Sequence, residues 1–123
     1  MRVLSLDLGS KSLGVCVSDQ SNIIAIPVEN YIIKEDDWED ASNRVLELIS
    51  EYNIGVVLLG HPLRTDGGKS EMTFKSEEFY EILKSKTNVK IKLFDERFST
   101  QRGLELLRNK YNNEEEVAKH KDM

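Results

Sequence analysis

Cysteine is almost missing from this chain of 123 residues: Cys16 is the one thiol, which excludes an internal disulfide framework and a thiolate zinc cluster. Its place in the apolar run Leu13-Gly14-Val15-Cys16-Val17 predicts a buried, inert side chain. Histidine is nearly as scarce, with two residues, so no histidine or cysteine cluster exists to support zinc-hydrolase chemistry. Long hydrophobic runs are also lacking. No apolar stretch approaches the roughly 18 residues of a membrane span, and Met1-Arg2-Val3-Leu4 leads directly into a strand-like pattern without an apolar leader. The expectation is a soluble, cytoplasmic protein with no membrane partner. Repeats, linkers and low-complexity segments are absent too, so residues 1–123 read as a single domain, large enough for its own core.

Excess positive charge is the last absence. The net charge is −5, which argues against a protein that wraps nucleic acid by electrostatics alone. The average conceals an asymmetry: residues 1–60 carry 4 basic and 10 acidic side chains, whereas residues 61–110 carry 11 basic and 8 acidic ones. A polyanion would approach the second half.

What is present is an ordinary globular balance, 39% apolar and 32% charged. Residues 3–8 form a short apolar run closed by Gly9 and Ser10, which predicts a buried strand and a turn. Residues 13–18 supply its antiparallel neighbour across Gly9-Ser10-Lys11-Ser12. A third strand is expected over 23–28, after the turn Asp19-Gln20-Ser21-Asn22. The period then changes. Trp38, Ala41, Val45, Leu48, Ile49 and Tyr52 form one stripe of an amphipathic helix, and the carboxylates of Glu35, Asp36 and Asp37 before it suit a helix N-terminus. Residues 54–60 are continuously apolar, as in a central strand covered on both faces. A helix over 69–86, with Met72, Phe79, Ile82 and Leu83 on one side, a strand over 89–94 and a helix from Ser99 or Thr100 complete the order. The β-β-β-α-β-α-β-α order predicts an α/β fold: a mixed five-stranded sheet, three antiparallel strands plus two parallel, with helices on both faces.

Acidic residues stand at strand ends: Asp7, the pair Asp95-Glu96, and Asp122 near the terminus. If the first and fifth strands flank the fourth, Asp7 and Glu96 converge on one site, where open α/β sheets place ligands. Carboxylates there suit a hard divalent cation such as Mg²⁺, which can activate water against a phosphodiester and stabilise the leaving oxygen. At the edge of the core an unpaired Asp7 would call for such a cation. The loop Gly60-His61-Pro62-Leu63-Arg64-Thr65-Asp66-Gly67-Gly68-Lys69 leaves a strand and enters a helix, so either its backbone N–H groups and Arg64 bind a phosphate or it is a long surface turn. His61 either carries a proton or packs against the fourth strand.

Three segments together, Asp7-Leu8-Gly9-Ser10-Lys11-Ser12-Leu13-Gly14-Val15-Cys16-Val17-Ser18-Asp19, Gly60-His61-Pro62-Leu63-Arg64-Thr65-Asp66-Gly67 and Asp95-Glu96-Arg97-Phe98-Ser99-Thr100, resemble the YqgF/RuvX family of pre-16S rRNA nucleases, also called Holliday junction resolvases. The likeness spans almost the whole chain in the right order. It implies a ribonuclease-H-like fold and a nuclease dependent on Mg²⁺ (or Mn²⁺), acting on structured nucleic acid of the bacterial cytoplasm, with 5′-end processing of pre-16S rRNA in ribosome biogenesis as the expected task. It implies Asp7, Glu96 and Asp122 as catalytic, metal-binding acids, and Lys11, Arg64, Arg97 and Thr100 as residues that hold substrate. Asp95 ranks below Glu96 because adjacent strand residues point to opposite faces. The chain departs from the family pattern at Ser12, usually basic, at His61, usually small and apolar, and at Arg64, usually asparagine. It also stops at Met123, where the family continues into a further helix, so the single domain is expected to lack its C-terminal helix.

Other readings remain at this stage: a DNA junction resolvase, which would need two active sites and hence a homodimer rather than a monomer; a non-catalytic module binding RNA or a ribosome-assembly partner; and a fragment of an actin-like phosphotransferase, suggested by Asp7-Leu8-Gly9-Ser10 but opposed by the chain's length.

Overall fold

The computed structural model describes residues 1–19, 21 and 24–95. Four of its strands follow from residue pattern. Leu4, Leu6 and Leu8 alternate with Ser5 and Asp7 in β1 (Arg2–Leu8), and Leu13, Val15 and Val17 alternate with smaller residues in β2 (Ser12–Ser18). The two pair antiparallel across a tight turn closed by Gly9 N–H donating to the Ser12 carbonyl at 2.8 Å. The continuous apolar run becomes β4 (Ile54–His61), and the run after the second helix becomes β5 (Lys90–Asp95).

β3 (Ala25–Ile32) lies later than expected. The preceding turn is extended by Asp19, whose carboxylate accepts from Ser21 Oγ at 2.7 Å and from the Ile24 N–H at 3.1 Å, so pairing begins only at Ala25. The strand runs on through Glu29 and Asn30 because it is an edge strand, half in water, where polar residues and Pro27 beside a bulge are tolerated.

α1 (Trp38–Tyr52) forms where the sequence period placed it, with Trp38, Ala41, Val45 and Leu48 buried. Of the acids before it, Asp37 serves it as expected: it is the N-cap, its side chain accepting from the Asp40 N–H at 3.1 Å. α2 (Glu71–Lys86) starts two residues later than the pattern suggested, behind Ser70, whose N–H donates to Thr73 Oγ1 at 2.9 Å. Its buried stripe is Thr73, Ser76, Phe79 and Leu83 rather than one beginning at Met72. A hydroxyl can face inward at Thr73 because Oγ1 donates to the Pro62 carbonyl.

The sheet order is β3-β2-β1-β4-β5, with β1, β4 and β5 mutually parallel and β2 antiparallel to both its neighbours. Leu4, Leu6, Leu8, Val57, Leu59 and Ile91 join the buried residues of α1 and α2 in one core, so both helices cover the same face. The helix expected from Ser99 or Thr100 lies outside the described residues. On the other face Val3 and Leu58 form a smaller cluster flanked by Ala25, Val56 and Phe94.

Candidate functional site

Strand alternation decides where Asp7 points. Leu6 faces the helix-covered core, so Asp7, one residue on, belongs to the opposite face, and its side chain is exposed. Across the ladder in β2 its partner is Gly14. On the other side the last paired residues are Leu6 and Leu59, which makes Gly60 the next residue of β4 beside Asp7. Neither neighbouring strand therefore places a side chain beside this carboxylate, although Gly60 itself is buried. Asp7 makes no hydrogen bond or ion pair among the described residues. The cost of an unpaired buried charge therefore does not apply here, contrary to the expectation from sequence: Asp7 is solvated, and a cation would be drawn by its accessibility. Cys16 is partly exposed on this same face rather than buried, and its thiol is pushed up from its usual range by partial burial and then by the Asp7 charge. It stays protonated and inert at neutral pH.

β4 does lie between β1 and β5, as convergence of Asp7 with the end of β5 requires. Asp95 takes the other face: Leu59 pairs with Leu93 on the core side, so Asp95, two residues further, pairs with His61 on the side of α2. Its lower rank in the sequence reading agrees with this placement. Glu96, Arg97, Thr100 and Asp122 lie outside the described residues. Among the described residues no three metal-ligating side chains cluster, and Asp7 is the one acid at this place that the sequence singled out.

Lys11 projects, exposed, from the turn that follows β1, at the same end of the sheet as Asp7. Arg64 is exposed on a miniature hairpin closed by pairing of Leu63 with Lys69. The N–H groups of Arg64, Gly67 and Gly68 donate to the Gly68 carbonyl, the Arg64 carbonyl and Asp66 Oδ1, each at 2.8 Å. Three of the loop's backbone donors are thus used within the hairpin, and the exposed Arg64 guanidinium lies 3.4 Å from Asp66. His61 is engaged as well, Nε2 lying 2.8 Å from Glu77 Oε2, which also receives Lys69 Nζ at 2.7 Å. This network ties the hairpin to α2.

The donor chemistry fits a hard divalent cation in one respect: Asp7 offers an accessible carboxylate oxygen, unpartnered among the described residues, the ligand type such ions take. Gly14 and Gly60, which put no side chain next to it, were missed in the sequence. Their only signal was glycine inside apolar strand runs, where close approach of another group is one of its standard reasons.

Comparison with known proteins gives three kinds of match. The family model described as "RuvX: Holliday junction resolvase" matches residues 1–123. A protein of Mycoplasmopsis pulmonis named "Putative pre-16S rRNA nuclease" is 35% identical over 123 residues, covering 99% of this chain and 84% of that one. One of Dictyoglomus turgidum with the same name is 40% identical over 107 residues, 87% of this chain and 74% of its own length. Among solved structures, Thermus thermophilus RuvC in complex with a Holliday junction substrate superposes with a TM-score of 0.55 at 16% identity, over 77% of this chain and 64% of that one. Archaeoglobus fulgidus Pelota gives 0.61 at 13% identity, over 98% of this chain and 36% of its own. At such identities these structures speak for the fold, which is ribonuclease-H-like.

Proposed function

The chain belongs to the RuvX family of Holliday junction resolvases, and we propose that it is a metal-dependent nuclease acting on structured nucleic acid, with 5′-end processing of pre-16S rRNA as its task in the cytoplasm. The observation that carries this reading is the Asp7 carboxylate, exposed and without a partner among the described residues, at the end of β1 between Gly14 and Gly60, in a chain whose relatives are named as pre-16S rRNA nucleases.

Asp7 is the anchoring ligand, with Glu96 and Asp122 completing the set. A Mg²⁺ or Mn²⁺ ion, when bound, supplies an activated water and charge stabilisation at the scissile phosphate. Lys11, beside Asp7 in sequence and exposed, takes a neighbouring phosphate, and Arg64 reaches a second from the hairpin tip. Arg97 and Thr100 orient the acids or the backbone of the substrate. Gly14, with no side chain of its own, leaves room for a phosphate to come close to the carboxylate from the β2 side. The basic excess in residues 61–110 favours a polyanion on this half of the molecule.

A second reading, cleavage of a four-way DNA junction, is favoured by the family's description and by the junction bound to the RuvC relative. It predicts a homodimer, whereas processing of one RNA end needs only a monomer. Cleavage of a pre-16S 5′ leader and of a four-way junction, measured side by side with Mg²⁺, Mn²⁺ or EDTA, separates the two. Asp7→Asn should reduce cleavage by more than the roughly 10–100-fold typical of losing a residue that merely supports a metal ligand. It should leave stability within about 0.5 kcal/mol, since the side chain is exposed and has no partner among the described residues. RNA binding of equal strength in both forms with cleavage in neither would assign the chain to a non-catalytic binding role instead.

A further inference from the structure

Asp36 sits in a left-handed backbone conformation, φ 55°, one of two such non-glycine residues among those described. The other, Asn53, is a helix C-cap and needs no further reason. Asp36 is different: its carbonyl accepts from the Trp38 N–H at 3.0 Å, but its other contacts lead away from α1. Its N–H donates to the Ser10 carbonyl at 2.8 Å, and its carboxylate takes two hydrogen bonds from Lys75 Nζ on α2, at 3.0 and 2.9 Å. Close by in sequence, the Ile33 N–H donates to the Lys11 carbonyl at 3.0 Å. Ser10 and Lys11 belong to the turn of residues 9–12, which directly follows β1 and carries Lys11. That turn therefore has one internal bond, from Gly9 N–H to the Ser12 carbonyl, and two external ones from the segment leading into α1.

A two-stranded turn of this length closes unaided, and an exposed ion pair by itself contributes little. The Asp36–Lys75 pair is open to water on the side of Asp36, 41% exposed, and differs from a simple surface contact in its two-point geometry and its covered cation. Lys75 is four-fifths covered, at 20% side-chain exposure, and holds both carboxylate oxygens. Its ammonium is kept above its ordinary range, chiefly by Asp36 and secondarily by Glu71, 3.5 Å away. Glycine would adopt the same backbone at position 36 without strain but could not reach α2. Strain of this type is retained where the surroundings over-determine it, and such places cluster at functional sites.

We propose that Asp36 and Lys75 are a positioning pair that braces the turn of residues 9–12 from α2, fixing Lys11 where the nucleic-acid backbone passes Asp7. This rests on the reading of Lys11 as a phosphate contact. The brace acts on substrate binding through Lys11 and on nothing else in the site.

The test is a double-mutant cycle on the full chain, with affinity for a fluorescein-labelled RNA hairpin bearing a single-stranded 5′ leader read by anisotropy in Ca²⁺ buffer. Lys75→Met should weaken binding about fivefold in the parent and not at all in a Lys11→Ala background, and Asp36→Asn should behave alike. Lys75→Arg, which keeps a cation able to bridge both oxygens, should retain parental affinity. Equal losses in both backgrounds would overturn the proposal. Hydrogen exchange decides the bracing independently of RNA: in Lys75→Met the amides of Ile33 and Asp36 should exchange about tenfold faster, while those of Leu6 and Leu58 stay protected. Unchanged exchange at Ile33 and Asp36 would sink the brace. If the parent binds no RNA, the nuclease reading fails, and exchange still decides the positioning.

Discussion

Gly14 faces Asp7 across the β1–β2 ladder, and a methyl group placed on it would lie 3.5 Å from the Asp7 Cβ and 3.6 Å from the Asp7 carbonyl oxygen. Both are ordinary contacts, and Gly14 is not among the glycines with positive φ, so alanine fits. Gly14→Ala should raise stability by about 0.5–1 kcal/mol, because glycine inside a strand loses more chain entropy on folding. It should lower cleavage by about tenfold or more, because the methyl occupies space through which a phosphate approaches the carboxylate. Urea unfolding and single-turnover cleavage check the two halves. Unaltered cleavage would mean that nothing approaches Asp7 from the β2 side.

The network around Glu77 makes part of the stability pH-dependent. Lys69 first and His61 second hold the Glu77 carboxyl below its ordinary value of 4.5. A carboxyl depressed in the folded state stabilises fully above the unfolded value and loses that contribution as pH falls through the folded one. The parent should therefore be more stable than Glu77→Gln at pH 7, and the two should converge as pH drops below about 4.5. Urea midpoints measured from pH 7 to pH 3 show it; a gap independent of pH would contradict the assignment.

Two hydroxyls on the buried stripe of α2 should respond in opposite ways. Ser76 Oγ is buried without a hydrogen-bond partner among the described residues, so Ser76→Ala should stabilise by about 1 kcal/mol. Thr73 Oγ1 donates to the Pro62 carbonyl and accepts from the Ser70 N–H. Thr73→Val removes both bonds and should cost about 1–3 kcal/mol. Thermal unfolding of the two variants gives the sign of each.

Phe79 is fully buried and meets Trp38 edge to face, with ring centroids 6.1 Å apart. Phe79→Ala should destabilise by about 3–5 kcal/mol. The emission of Trp38, the one tryptophan, should shift in the folded variant because its ring loses that neighbour.

The residues that carry local period settled much of this in advance. The stripe from Trp38 to Leu48 fixed α1, and the apolar run 54–60 fixed β4, because helix and strand periods are written in residues close together in the chain. The family likeness of the segments around Asp7 and Gly60 fixed the fold and pointed to nucleic-acid chemistry. β3 was misplaced because Asp19 extends its turn through side-chain bonds, and the α2 stripe was misread because Thr73 and Ser76 face inward; hydroxyl groups give no apolar signal.

Asp7 itself was visible in the sequence as an acid closing a buried strand. That Gly14 and Gly60 lie to either side of it, that Asp95 turns to the opposite face, that the hairpin of Leu63 and Lys69 turns three of its backbone donors inward, and that Asp36 reaches Lys75 were all decided by tertiary structure. Each depends on which segments lie side by side and in what register, and register is set by how whole faces bury together rather than by any short stretch of chain.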